Sequence, residues 1–143
     1  ITEAILAMWK ENLGVDVRVQ QVETATFFSD LDKGRFQMFS LGWIADYPDP
    51  ENFLDLKFHT GSRQNDTQYS NPDVDALLDQ ARTEADSTKR LALYDQAEEK
   101  IVNDAPWIPL FFGASHNIVK PYVKGWLETP LVVPRLRFVS IER

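Results

Sequence analysis

Apolar and polar positions in the first twenty residues follow first a helical and then a strand period. Ile5, Met8 and Trp9 share one helical stripe, and Gly14 is placed to end that helix. Residues 15–19 then alternate valine with polar side chains, which is typical of a strand with one solvent-facing side. The pattern therefore predicts a helix followed directly by a strand.

A second helix and a buried strand follow. Thr24 or Thr26 is suited to cap a short helix, and Gly34 is suited to end it. Residues 36–45 are almost continuously apolar, as expected of a strand that is buried on both faces. A strand, a helix and a strand within about thirty residues predict a βαβ unit with a parallel, right-handed crossover.

Two more helices are predicted after a polar loop at residues 60–70. Asn71 is suited to cap the first, with Pro72 in its first turn, and Asp86 or Ser87 is suited to cap the second. Because only a few residues separate these helices, we expect an antiparallel hairpin. The side chains predicted to face its interior are Val74, Leu77, Leu78, Ala81, Leu91, Tyr94, Ala97 and Ile101.

Charge and composition change near Pro106. Residues 1–105 hold twenty acidic and ten basic side chains, whereas residues 106–143 hold two acidic and five basic ones, for a net charge of −7. The overall acidity argues against a nucleic-acid surface.

The part of the chain after Pro106 is richer in proline and β-branched residues than the part before it. Its pattern predicts further strands at residues 107–112, 118–119 and 138–141.

The richest candidate chemistry lies in the turn after the strand at residues 36–45. Two prolines within three residues prevent the strand from continuing, which places Asp46 at its carboxyl end, between Trp43 and Tyr47. Open α/β sheets bind ligands at this end of their strands. A carboxylate framed by aromatic rings suits an amine-bearing or cationic ligand. The alternative interpretation is a tight turn in which Asp46 and Asp49 cap a following helix.

The sequence offers little for catalysis, metal binding or cofactors. An acid/base pair at Asp46 and Asp49 would need two environments that separate their pKa values. His59 and His116 lie far apart and the chain contains no cysteine, which argues against a zinc site. No glycine-rich phosphate loop is present. We therefore predict no enzymatic activity and no cofactor.

Four motifs, in this order, resemble the C-terminal part of the family 5 extracellular solute-binding proteins, which include the oligopeptide- and dipeptide-binding proteins of ABC importers. They are Asp-Tyr-Pro-Asp-Pro at residues 46–50 and the segments at residues 69–78, 90–98 and 105–110. The resemblance implies an α/β, type II periplasmic-binding-protein-like fold. We expect this chain to be an excised C-terminal lobe segment with the βαβ unit and the helical hairpin.

The resemblance also implies a function. Gly42, Trp43 and Ile44 would present a strand edge to a ligand backbone, Asp46 would pair with a peptide α-amino group, and Tyr47 would lie beside it. The protein would be the substrate-binding component of an ABC importer, taking peptides or similar small solutes in a cleft between lobes and delivering them to a membrane permease.

Two other functions stay open at this point. One is a receptor for an oligosaccharide or another non-peptide solute, and the other is the ligand-sensing domain of a transcriptional regulator. For the importer, the resemblance implies a periplasmic or extracellular location, with membrane association in lipoprotein forms.

The resemblance finally predicts a boundary near the end of the chain, where related chains return to the other lobe. We expect residues 1–112 to form the lobe segment and residues 113–143 a tail that packs on the other lobe. Without that lobe, the tail would leave apolar side chains uncovered, and we expect the piece to self-associate through it. The side chains concerned are Trp126, Leu127, Leu131, Val132, Val133, Leu136, Phe138, Val139 and Ile141.

Overall fold

The computed structural model describes residues 1–114, 116–127 and 136–142, which form two compact units, Ile1–Phe36 and Gln37–Arg143. Helices account for most of the regular structure, and no described helix is both long and apolar enough to cross a membrane. In chain order the elements are α1 (Thr2–Leu13), α2 (Thr24–Asp32), α3 (Glu51–Phe58), α4 (Pro72–Thr83), α5 (Ser87–Asp104), β1 (Val123–Lys124), a 3-10 turn (Leu136–Phe138) and β2 (Ser140–Ile141).

The first unit contains the two helices predicted for it. Gly14 ends α1 with a φ of 67°, a backbone conformation that glycine adopts without strain. The cap of α2 differs from the prediction that Thr24 or Thr26 provides it. The carboxylate of Glu23, one residue upstream, accepts hydrogen bonds from the amides of Ala25 and Thr26. The prediction failed because the longer glutamate side chain reaches both amides.

The strands of the predicted βαβ unit are not formed as hydrogen-bonded strands. Residues 15–19 and 36–45 lie outside every helix and strand of the described chain. Val15 and Val19 are 45% and 58% exposed. Because a strand is stabilised by hydrogen bonds to a neighbouring strand, neither the alternation at residues 15–19 nor the apolar run at residues 36–45 is sufficient to produce one. The strands predicted at residues 107–112 and 118–119 are likewise absent from the described residues.

The second unit is built on the predicted helical hairpin. Asn71 caps α4 by accepting from the Asp73 amide, and Asp86, rather than Ser87, caps α5. The hairpin supplies most of the core, although Leu91, predicted to face inward, is 48% exposed. Leu91 lies ahead of the part of α5 that is buried in the cluster, which begins at Tyr94. The buried cluster consists of Leu54, Phe58, Val74, Leu78, Ala81, Tyr94, Ala97 and Ile101.

Helix α3 connects this core to the candidate turn. Its buried face contributes Leu54 and Phe58 to the cluster, and the Phe58 ring lies 4.8 Å from that of Trp107. The following loop is held by Asn65, whose side-chain amide donates to the carbonyls of His59 and Tyr69. The candidate turn is therefore joined to a helix whose other face is fixed in the core.

Among the described residues of the tail, only a short strand pair forms. Val123 and Lys124 of β1 pair antiparallel with Ile141 and Ser140 of β2, so the strand predicted at residues 138–141 is present in its last part. Gly125 has a φ of 70°, and a β-carbon there would lie 1.9 Å from the Phe138 carbonyl oxygen, which explains the glycine. Leu131, Val132 and Val133, which we predicted to belong to the tail's apolar face, lie outside the described residues.

Candidate functional site

The buried side chain of Asn52 organises the candidate turn. Asn52 lies in the first turn of α3 and is 0% exposed. Its side-chain oxygen accepts from the indole Nε1 of Trp43 at 3.0 Å and from the backbone amide of Asp46 at 3.0 Å. Its Nδ2 also donates to a carboxylate oxygen of Asp46 at 3.5 Å. A single amide thus fixes two of the predicted ligand-binding residues, Trp43 and Asp46, relative to α3.

A buried lysine packs over the ring of the tryptophan. The Nζ of Lys57 lies 3.9 Å from the centroid of the Trp43 ring and 3.1 Å from a carboxylate oxygen of Asp66. The side chain of Lys57 is only 4% exposed, and a buried cation of this kind needs a counter-charge. Asp66 supplies that charge, and the ring face adds a cation–π contact. The ion pair holds the Lys57 ammonium in place, and the ammonium in turn packs against the indole ring.

The predicted binding residues present accessible groups around this fixed point. Gly42, Ile44, Asp46 and Tyr47 are exposed, and Trp43 is half-buried. Within the described residues, Gly42, Trp43 and Ile44 have no backbone hydrogen bond, so their amides and carbonyls are available to a ligand. The Tyr47 hydroxyl donates to the carboxylate of Glu51 in α3. The turn thus combines unpaired backbone with an accessible carboxylate.

Asp49 belongs to a different interaction from Asp46. Its carboxylate accepts two hydrogen bonds from the guanidinium of Arg90, at 2.7 and 2.9 Å, and one from the Glu51 amide. The Arg90 bonds hold the pKa of Asp49 below its ordinary value. The alternative interpretation of the turn is therefore realised in part for Asp49, which accepts the first amide of α3 from one residue before the N-cap position, Pro50. The Asp46 carboxylate accepts no backbone amide among the described residues.

The polar contacts continue from Arg90 into the core. Arg90 also donates to the Tyr94 hydroxyl at 3.3 Å, which donates to Asp55 at 3.3 Å, and Asp55 forms an ion pair with Arg82. Burial raises the pKa of the Asp55 carboxyl, and the Arg82 guanidinium offsets part of that rise. Burial, followed by the nearby Asp55 charge, raises the pKa of Tyr94 to about 12. This chain of contacts ties the candidate turn to α4 and α5.

The Asp49–Arg90 pair predicts a pH dependence of stability. Because the folded-state pKa of Asp49 lies below its unfolded value of 3.8, the pair stabilises the fold above about pH 4 and loses this contribution as the pH falls through the folded-state pKa. Arg90→Met should lower the free energy of unfolding by about 1 kcal/mol at pH 7, since the pair is partly exposed, and by less at pH 3.

Urea denaturation at both pH values measures this difference. Lys89→Met is the matched control, since the Lys89 side chain is exposed and has no hydrogen bond or ion pair among the described residues. A destabilisation by Arg90→Met that is equal at pH 3 and pH 7 would contradict the role of the pair.

Sequence reasoning did not identify the side chains that hold the candidate turn in place. Asn52, Lys57 and Asp66 look like surface positions of a helix and a polar loop, since their types are mostly exposed in proteins. The only available signal was the position of Asn52, two residues beyond the second proline. Among the described residues, no group of three or more His, Asp or Glu side chains is placed to hold a metal ion.

Comparison with known proteins identifies relatives of the chain. The family model described as bacterial extracellular solute-binding proteins, family 5 Middle, matches residues 1–65. The dipeptide-binding protein DppE of Bacillus subtilis (strain 168) is 38% identical over 131 residues, which cover 92% of this chain and 24% of DppE. The chain therefore spans about a quarter of the length of the curated relatives it matches.

Solved structures agree with this relationship. The Escherichia coli murein tripeptide binding protein MppA superposes with a TM-score of 0.86 at 32% identity, over 99% of this chain and 28% of that chain. Haemophilus influenzae OppA in complex with the peptide RPPGFSPFR superposes with a TM-score of 0.85 at 30% identity, over 99% and 28%. These likenesses confirm the predicted fold class, a lobe segment of a type II periplasmic-binding-protein-like fold. On this sequence and structural evidence, the chain belongs to the family 5 bacterial extracellular solute-binding proteins.

Proposed function

We propose that this chain supplies the ligand-anchoring side of the cleft in the substrate-binding component of an ABC importer, which binds peptides and delivers them to a membrane permease. The observation that carries the proposal is the exposed Asp46 carboxylate, whose backbone amide is bonded to buried Asn52 and which lies beside the unpaired backbone of residues 42–44.

Each part of this arrangement suits one part of an extended peptide. The amides and carbonyls of Gly42, Trp43 and Ile44 can pair with a peptide backbone as a neighbouring strand would, without reading its side chains. Asp46 can accept a charge-assisted hydrogen bond from the α-ammonium group. The rings of Trp43 and Tyr47 belong to the same short segment as Asp46 and can cover the first side chain.

Three of the relatives support the choice of peptides, although others are named for deoxycholate and for heme. DppE and MppA are named for a dipeptide and a murein tripeptide, and the OppA structure holds a nine-residue peptide. Each binds a peptide of a different length, which fits a site that recognises the backbone and one terminus. Under the proposal this chain performs no catalysis.

The proposal extends to location and assembly. The protein acts in the periplasm or outside the cell, and lipoprotein forms of it are associated with the membrane. Residues 1–112 form the lobe segment, and residues 113–143 form the tail that packs on the other lobe. In isolation the chain self-associates through this tail, where Ile118 is 96% and Ile141 65% exposed. Apolar side chains exposed to this extent favour association.

Peptides with and without a free amino terminus test the proposed ligand class. The full gene product that contains this chain should bind an unmodified tripeptide at least about tenfold more tightly than its N-acetylated form. Acetylation removes the charge, and a hydrogen bond to a charged group is worth about 1.5–3 kcal/mol. Isothermal titration calorimetry gives both affinities. Equal affinities, or tighter binding of the acetylated peptide, would exclude an ammonium anchor.

A further inference from the structure

We infer that Asn52 is a positioning residue, which holds Asp46 in the orientation that receives the ligand's ammonium group; this inference rests on the proposed function. Asn52 is one of only four buried polar residues in the described chain, together with Asp55, Lys57 and Asn65. Its amide hydrogen bonds run back along the chain, to residues six and nine positions earlier. A side chain whose only role was to stabilise α3 would not make these contacts.

The Trp43 indole and the Asp46 amide both donate to the Asn52 side-chain oxygen, but they depend on it to different degrees. The indole Nε1 of Trp43 also donates to the backbone carbonyl of Asn52 at 2.9 Å, and the Lys57 ammonium lies over its ring. Trp43 therefore keeps an acceptor and a packing contact if the side chain is removed. The amide of Asp46 has no other acceptor among the described residues. Loss of the Asn52 amide therefore affects Asp46 more than Trp43.

The same side chain also acts on the carboxylate of Asp46. Its Nδ2 lies 3.5 Å from a carboxylate oxygen, which places the donor end of the amide next to the negative charge. The amide can thus favour one rotamer of Asp46 and leave the second carboxylate oxygen for the ligand. An exposed aspartate without such a contact would be ordered only when the ligand binds, at a cost in affinity.

The nearest buried cation does not compete for this carboxylate. The Nζ of Lys57 is engaged with Asp66 at 3.1 Å and with the Trp43 ring at 3.9 Å. Its charge is therefore compensated by Asp66. Because Asp46 has no ion pair among the described residues, its charge is available to a cationic group of the ligand.

A double-mutant cycle on the full gene product tests this inference. Affinities for an unmodified tripeptide and for its N-acetylated form are measured by calorimetry in the wild type, Asn52→Ala, Asp46→Ala and the double variant. Asn52→Ala should weaken binding of the unmodified peptide about tenfold and leave that of the acetylated peptide within about twofold. In the Asp46→Ala background, Asn52→Ala should have no further effect on either peptide.

Asn52→Leu, of similar volume and without polar atoms, is the second variant, in case alanine at this buried position prevents folding. Circular dichroism at the titration temperature establishes that each variant is folded, and the same selective loss is expected. An equal loss of affinity for both peptides would show that Asn52 has only a structural role. A loss of affinity that persists in the Asp46→Ala background would show the same. An unchanged affinity in both Asn52 variants would overturn the inference while leaving the proposed function intact. An unchanged affinity in Asp46→Ala would instead overturn the proposed function.

Discussion

Replacing Leu78 with alanine should lower the free energy of unfolding of the chain by about 2–5 kcal/mol. Leu78 lies in the middle of α4, is 0% exposed and belongs to the cluster that joins α3, α4 and α5. Truncation removes its apolar contacts and leaves a cavity among helices that cannot fully collapse. Since small domains are stable by only about 5–15 kcal/mol, the loss is a large part of the total.

Leu77 provides a matched control for this substitution. It is the same residue type on the same helix, but it is only partly buried at the edge of the cluster. Leu77→Ala should therefore cost less than half as much. Urea denaturation followed by circular dichroism measures both variants. If the two substitutions cost the same, the core would not be centred on the α4–α5 contact.

Replacing Asp46 with alanine in the full gene product should weaken binding of an unmodified tripeptide at least about tenfold. The reason is the loss of the charge-assisted bond to the ammonium group, which is worth about 1.5–3 kcal/mol. The melting temperature should stay almost unchanged, because the Asp46 carboxylate is exposed and makes only a 3.5 Å contact within the described chain.

Asp95→Ala is the control for the loss of one negative charge. Asp95 is exposed on α5, with no hydrogen bond or ion pair among the described residues, and its removal should leave the affinity unchanged. A similar loss in both variants would indicate that net charge, rather than a specific contact, attracts the ligand. An unaffected Asp46→Ala variant would make the aspartate a residue of the turn only.

Four of the five described helices could be predicted from the sequence because local signals determine them, whereas α3 was foreseen only in the alternative interpretation of the turn. Asn71 and Asp86 cap α4 and α5 as expected, and Gly14 ends α1 with the positive φ that favours glycine. The buried face of α4 follows the 3.6-residue period closely enough that Val74, Leu78 and Ala81 are all fully buried.

Local signals did not predict the strands correctly, nor did they identify the side chains that hold the candidate turn in place. A valine alternation at residues 15–19 indicates a strand only if another strand pairs with it, and pairing is a tertiary property. Likewise, Asn52 and Lys57 are polar side chains on an exposed-looking helix, and only the fold buries them against Trp43. Sequence reasoning therefore named the groups that we propose to face a ligand, but not the side chains that hold them in place.

A crystal structure of the full gene product with an unmodified tripeptide would test the proposed anchor most directly. We expect the peptide's amino nitrogen at hydrogen-bond distance, about 2.7–2.9 Å, from a carboxylate oxygen of Asp46, with the peptide backbone paired to residues 42–44. The Asp46 amide should still donate to Asn52. A peptide bound with its ammonium group elsewhere, and with Asp46 facing solvent, would contradict the assignment of this turn as the ligand anchor.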